Sequence, residues 1–198
     1  MKLVAATNNS NKLREFKEIL SPLGFKVISQ IEAGIDTDVE ETGLTFAENA
    51  FLKAEAVYSA CQMGAVADDS GLEVDELNNE PGVHSARYTG NHSDSDEDRC
   101  RLVLSKMKGK KNRDARFVAS ICCILDDNKV LRCEGVCNGV LAEEMKGENG
   151  FGYDCIFIPN GYSVTMAELS AEEKNKISHR GMALKELAEE LRSIYNAK

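Results

Sequence analysis

Three observations predict an α/β protein on a mixed sheet. Short apolar runs alternate with amphipathic helical stretches up to Asp69, two strand-like runs adjoin late in the chain, and the C-terminal stretch carries one apolar stripe at helical spacing. Alternation of this kind implies parallel strands crossed by helices, and the late pair adds an antiparallel part. Leu3 to Ala6 reads as a buried strand, followed by the polar loop Thr7 to Lys12. A helix then carries Leu13, Phe16, Ile19 and Leu20 and stops at Ser21-Pro22. Phe25 to Ser29 is the second strand, and the carboxylate-rich loop Glu32 to Gly43 leads to a helix opened by a Thr45–Glu48 capping box and running to Cys61.

Gly64 to Ala67 reads as a strand ending in Asp68-Asp69-Ser70-Gly71, and Asn78 to Gly82 is a turn cluster. A helix spans Asp94 to Met107, its acidic start favourable at a helix N-terminus. Ala115 to Leu125, Val130 to Cys137 and Phe151 to Ile158 are three more strands, the first two a hairpin across Asp126 to Lys129. Ser170 and Glu173 form a second capping box, and Leu184, Leu187, Leu191 and Ile194 line the last helix.

The 198 residues suit one domain of two intimate lobes without a separable linker. Lys and Arg total 24 against 33 Asp and Glu, a net charge of −9 that argues against coating nucleic acid or an anionic membrane. No apolar run reaches the ~20 residues of a bilayer span, and the N-terminus does not read as a secretory signal. Seven scattered cysteines without a CxxC pair, and histidines far apart at 84, 92 and 179, make a disulfide framework or structural zinc a poor reading. Reduced thiols in the cytoplasm are expected. Cys133 and Cys137 read as strand residues, and the basic stretch Lys106 to Arg116 as a solvated connection.

Four segments carry candidate chemistry. The loop Thr7-Asn8-Asn9-Ser10-Asn11-Lys12, between strand and helix, either cradles phosphate on backbone N–H groups or simply caps the helix. It is not a Walker A loop, because GxxxxGK[ST] does not occur. Lys53 shares a stripe with Phe46, Ala50 and Val57 within roughly 60° at 100° per residue. An inward lysine either snorkels to an edge or serves a cleft. Asp68 and Asp69 point to opposite faces if the strand continues through them, so one can meet a metal while the other orients a loop; the same four residues also suit a turn. Gly150 to Asp154 with Ser178 to Gly181 offers aromatics, glycines and Arg180 for a flat ring, or a strand edge with a structural His179.

Together these segments resemble a known family. Thr7-Asn8 with Lys12, Glu41-Thr42-Gly43 through Asn49-Ala50, Leu52-Lys53-Ala54, Ala67 to Leu72, Pro81-Gly82 with Ser85 to Tyr88, Gly150 to Asp154 and Ser178 to Gly181 are similar, in order, to the inosine triphosphate pyrophosphatase family, and within it to the bacterial branch acting on dITP and XTP. The resemblance covers nearly the whole chain. It implies an elongated, two-lobed fold on a long twisted mixed sheet with a substrate cleft between lobes. It also implies a homodimeric, Mg²⁺-dependent enzyme that converts ITP, dITP or XTP to the monophosphate and pyrophosphate.

Carried over by motif, Thr7 to Lys12 (Thr7, Asn8, Asn9, Ser10, Asn11 and Lys12) resemble the triphosphate loop, and Lys53 the lysine that reaches the phosphates. Asp69 is similar to the catalytic carboxylate, with Asp68 assisting and Ser70 touching substrate. Glu41, or Glu40 beside it, joins Asp69 at the metal. Phe151, Gly152, Tyr153, Asp154, Lys174, His179 and Arg180 resemble the base and sugar pocket. The chain departs from the family pattern at Cys155, where many relatives have proline, and at Asn8-Asn9-Ser10, where many have Gly-Asn. Inosine presents an O6 acceptor where adenine presents an N6 donor, so Arg180 aimed at O6 would face ATP unpaired, a mismatch of about 1–3 kcal/mol. On that reading Arg180→Ala narrows the preference for ITP over ATP. Two other readings are a pyrophosphatase for other modified nucleotides and a nucleotide sensor that hydrolyses nothing.

Overall fold

Side-chain alternation along a first strand buried on both faces explains the layers. The computed structural model describes residues 1–91, 94–125 and 129–196. Strand β1 (Lys2–Ala5) pairs in parallel with β2 (Lys26–Ser29), Leu3 opposite Val27, and with β3 (Ala65–Val74), Val4 opposite Ala65. Leu3, Ala5 and Val66 face one core with Phe16 and Leu20 of helix α1 (Ser10–Leu20) and Leu184, Leu187 and Leu191 of helix α5 (His179–Asn196). Val4, Ala6, Ala65 and Ala67 face a second core with Ala50, Ala54 and Val57 of helix α2 (Phe46–Cys61). Strands covered on both faces must be apolar on both, and these are.

The sheet runs in the order β2-β1-β3-β5-β6-β7, where β5 is Asp114–Ile124, β6 Val130–Leu141 and β7 Phe157–Pro159; β4 (Glu80–Pro81) pairs antiparallel with β3. Parallel and antiparallel pairs together make the mixed α/β fold that the alternation predicted. Two compact units divide the chain. One holds Met1–Asp69, Ala119–Gly135 and Arg180–Lys198; the other holds Ser70–Val118 and Val136–His179. The second contains helices α3 (Asp96–Lys106) and α4 (Ala171–Ile177). Both predicted capping boxes form, Thr45 with Glu48 and Ser170 with Glu173, and a third joins Ser95 to Asp98.

Three expectations are corrected. Helix α1 begins at Ser10, inside the predicted loop, because Asn9 caps it by accepting from Asn11 and Lys12 N–H. Asp68 to Gly71 is not a turn: β3 continues to Val74, its buried carboxylates met by Lys12, Arg180, Lys53 and the Asn49 amide. Phe151 to Ile158 is not a continuous strand, since Asp154–Ile156 is a 3-10 turn and only Phe157–Pro159 pairs, antiparallel with β6. The predicted hairpin closes through the Leu125 N–H to the Lys129 carbonyl (2.9 Å); Asp126 to Asn128, like His92, lie outside the described residues. Among the described residues no helix is long and apolar enough to cross a membrane.

Candidate active site

Alternation carries the two adjacent carboxylates of β3 to opposite faces within the first unit. Asp68 follows Val66 toward α1 and α5. Lys12 Nζ lies 2.9 Å from its Oδ1, and Arg180 Nε donates to its Oδ2 at 2.9 Å. Arg180 also donates from Nη1 to Glu15 Oε2 at 2.5 Å, and its side chain is only 2% exposed. Burial opposes the charge on Asp68, but Arg180, Lys12 and Lys53 outweigh it and hold the carboxyl far below the usual carboxylate range. Burial, with Lys53 and Arg180 nearby, pulls Lys12 below its ordinary value despite the pull of Asp68.

Asp69 follows Ala65 and Ala67 toward α2. Lys53 Nζ donates to Asp69 Oδ1 at 3.0 Å and to Glu41 Oε1 at 2.7 Å, so two carboxylates meet at one ammonium. Asn49 Nδ2 donates to Asp69 Oδ2 at 3.1 Å, while its Oδ1 accepts from the Gly43 N–H at 2.8 Å. A Cβ on Gly43 would fall 2.7 Å from that Oδ1, so only glycine brings this loop against Asn49. Burial raises the Asp69 carboxyl above its usual value, Glu41 adds to the rise, and Lys53 and Lys12 only moderate it. Lys53 is itself raised, because Asp69, Asp68 and Glu41 outweigh the burial that disfavours its charge. Glu41 and Asp69 are the oxygen donors that could hold a hard cation: magnesium is held by one or two carboxylates and completed by waters and phosphate. Glu40 is exposed, and it is Glu41 that reaches Lys53.

The loop before α1 is tied internally. Thr7 Oγ1 accepts from the Asn9 N–H, Asn8 Oδ1 from Gln30 Nε2, and Asn9 Oδ1 from two N–H groups of the first helical turn. Capping therefore occupies backbone donors that the phosphate reading had assigned to a ligand, while Lys12 keeps 16% of its side chain exposed.

In the second unit a separate group forms around Asp154. Its Oδ2 accepts from Lys174 Nζ at 2.7 Å and from the Phe151 N–H at 2.9 Å, and Lys174 Nζ lies 4.6 Å from the centre of the Phe151 ring. Gly150 has φ +79°, and a Cβ there would lie 2.1 Å from Asp154 Oδ2. The Gly152 N–H donates to Asp96 and Tyr153 Oη to the Ser85 carbonyl. His179 stacks on Phe117, ring centres 4.7 Å apart.

The structure thus gathers Lys12, Asp68 and Arg180 on one face of β3, Glu41, Lys53 and Asp69 on the other, and Phe151, Asp154 and Lys174 in the second unit. Arg180 lies buried between Asp68 and Glu15 in the first unit. Sequence reasoning missed Glu15 and gave Asn49 no contact with Asp69. Glu15 stands beside Phe16 on the inward stripe of α1, the same signal of a charge on an apolar face that marked Lys53.

The Ham1 family model matches residues 3–190. The dITP/XTP pyrophosphatase of Bacillus subtilis (strain 168) is 49% identical over 187 residues, 93% of this chain and 94% of the relative. That of Aquifex aeolicus (strain VF5) is 44% identical over the full length of both. Among solved structures, the Staphylococcus aureus Ham1 protein superposes with a TM-score of 0.87 at 44% identity, covering 98% of this chain and 99% of that one. A HAM1 protein from Coxiella burnetii gives 0.88 at 41%, with the same coverage. A mixed α/β fold with paired carboxylates on one strand met by lysines from two helices, and matches of this extent, define the class: the chain belongs to the Ham1 family.

Proposed function

We propose that this protein is a nucleoside-triphosphate pyrophosphatase acting on deaminated purine nucleotides (ITP, dITP and XTP), releasing the monophosphate and pyrophosphate. The observation that carries the reading is Asp69: a buried carboxylate with raised proton affinity, oriented by Asn49 and Lys53 on the same strand as its ionised neighbour. A base of this kind takes a proton from the water that attacks the α-phosphorus as the bond to the β-phosphate oxygen breaks. An ordinary aspartate would be a weaker acceptor at neutral pH. Lys53 and Lys12 supply positive charge toward the triphosphate, where charge grows on the departing pyrophosphate. Mg²⁺, held by Glu41 and Asp69, is the proposed cofactor, and when bound it neutralises phosphate charge and acidifies water.

The nucleoside end is assigned to the second unit, with Phe151 for the ring face, Lys174 and Asp154 for polar edges, and His179 and Tyr153 in support. Thr7 to Asn11 and Ser70 are assigned to phosphate contacts, with Asn8 and Ser10 exposed at the loop. Asp68 holds Lys12 in place. Arg180 is assigned to holding Asp68 instead of reading O6. A homodimer in the cytoplasm that binds neither nucleic acid nor membrane completes the proposal, resting on the family resemblance and the acidic charge.

The test is a panel of ITP, XTP, dITP, GTP and ATP with Mg²⁺, scoring pyrophosphate against phosphate. Pyrophosphate from ITP, XTP and dITP, with ATP and GTP turned over far more slowly, is the expected result. Phosphate as the product would overturn the reading, and no turnover would favour a sensor.

A further inference from the structure

The seven cysteines have no part in this chemistry, yet two of them are neighbours. Cys100, buried on α3, and Cys155, partly exposed in the 3-10 turn after Asp154, have their sulfurs 3.6 Å apart. The Cys100 thiol also lies 3.4 Å from the Gly152 carbonyl. We propose that Cys100 and Cys155 are a reversible dithiol–disulfide site, oxidised by peroxide, that loosens the Asp154–Lys174 contact when closed.

The two sulfurs are unequal in a way that assigns their roles. The hydrogen bond from Cys100 lowers the Cys155 thiol against the opposing effect of burial, while that same bond, with burial, raises Cys100. Cys155 is also the partly exposed sulfur of the pair, with Cys100 buried, so peroxide reaches Cys155 and it is the attacking thiolate. It attacks one oxygen of hydrogen peroxide, the O–O bond breaks, and Cys155 sulfenic acid and hydroxide form. Loss of the thiolate charge removes the main cause that held the proton on Cys100. Cys100 sulfur then attacks Cys155 sulfur, the S–O bond breaks, and its proton leaves with the hydroxyl as water. Two thiols and one peroxide give one disulfide and two waters; a dithiol reductant reverses the change.

The other cysteines lack this arrangement. Burial pushes the thiols of Cys122 and Cys137 up to about 11 and Cys133 up to about 12, and Cys123 is raised as well. Cys61 is partly exposed, but its thiol donates to the Val57 carbonyl at 3.2 Å. Forming the disulfide requires the sulfurs to close by about 1.5 Å. Cys100 is fixed in a helix and fully buried, so the turn carrying Cys155 moves, and Asp154 moves with it. The carboxylate that holds Lys174 and the Phe151 N–H is displaced.

The experiment treats the full-length protein with hydrogen peroxide, blocks remaining thiols, and maps peptides without reduction. A Cys100–Cys155 linked peptide is expected in the wild type and in Cys61→Ser, with dithiothreitol restoring both thiols. Cys100→Ser should stop at a Cys155 sulfenic acid trapped by dimedone. A wild type that leaves Cys155 reduced, stops at its sulfenic acid, or links through Cys61 overturns the site. The effect on Asp154 rests on the function proposed above and is read separately: KM for ITP should rise at least about threefold in the oxidised protein and recover on reduction. An unchanged KM with the disulfide formed overturns that consequence alone, and absence of ITP turnover in the reduced protein counts against the function instead.

Discussion

Asp68 and Asp69 are adjacent in sequence and opposite in circumstance. On the α1–α5 face two cations, Lys12 and Arg180, meet at Asp68, with Glu15 closing the set behind Arg180. On the α2 face two carboxylates, Asp69 and Glu41, meet at one cation, Lys53. Burial acts on both aspartates in the same direction, yet the partners decide the outcome: Asp68 is locked in its charged form and Asp69 gains affinity for a proton. A carboxylate held charged by two cations is structural and a proton-hungry one is chemical. The strand uses one alternation to separate the two jobs.

The largest disruption is expected from Arg180→Ala. It leaves Asp68 and Glu15 buried without their guanidinium, a loss of about 3–5 kcal/mol in chemical denaturation. Arg180→Lys keeps one charge and should fold. Its ITP-to-ATP ratio of kcat/KM is expected to match the wild type, whereas a narrowed ratio would return Arg180 to the purine edge.

Next come thermal midpoints against pH, where the two aspartates should have opposite signs. Asp68 binds its proton less readily folded than unfolded, so its contribution is present above the usual 3.8 and is lost as pH falls below it. Asp69 binds its proton more readily folded, so its contribution is present below 3.8 and is lost as pH rises through its higher folded value. Asp68→Asn should therefore lower the midpoint at pH 7 and flatten the fall below pH 3.8, whereas Asp69→Asn should leave the neutral midpoint unchanged or raised. Equal losses for both variants would erase the distinction.

Kinetics sharpen the same point. Lys53→Met removes a charge that lowers Asp69, so the acid limb of kcat/KM should move to higher pH than in the wild type. A limb that stays in place would detach Asp69 from the proton transfer. Smaller effects separate the neighbouring glutamates: Glu41→Gln should raise the Mg²⁺ concentration for half activity by about tenfold, in the range of a lost metal-site carboxylate partner. Glu40→Gln, exposed, should stay within about twofold.

Much of this was legible before any coordinates. Hydrophobic period and capping residues located the helices because they depend on neighbours three or four positions away. Lys53 stood out as a charge on an apolar stripe, and Glu15 carried the same mark. The continuation of β3 through Asp68-Asp69-Ser70-Gly71 was legible only as one of two readings. Two carboxylates and a glycine argue for a turn unless the cations from α1, α2 and α5 are known to reach them. The pairing of Arg180 with Asp68 and Glu15 was not legible for a similar reason, since these partners lie 112 and 165 residues away in sequence. The role of Asn49 depends on a loop that approaches only because residue 43 is glycine.

The most direct test of the division between the two carboxylates is single-turnover hydrolysis of bound ITP by Asp69→Asn at pH 7 with Mg²⁺. Loss of a general base predicts ITP binding close to wild type with a hydrolysis rate about 10²- to 10⁴-fold lower. A folded Asp69→Asn that binds ITP and still releases pyrophosphate at near the wild-type rate would contradict the assignment.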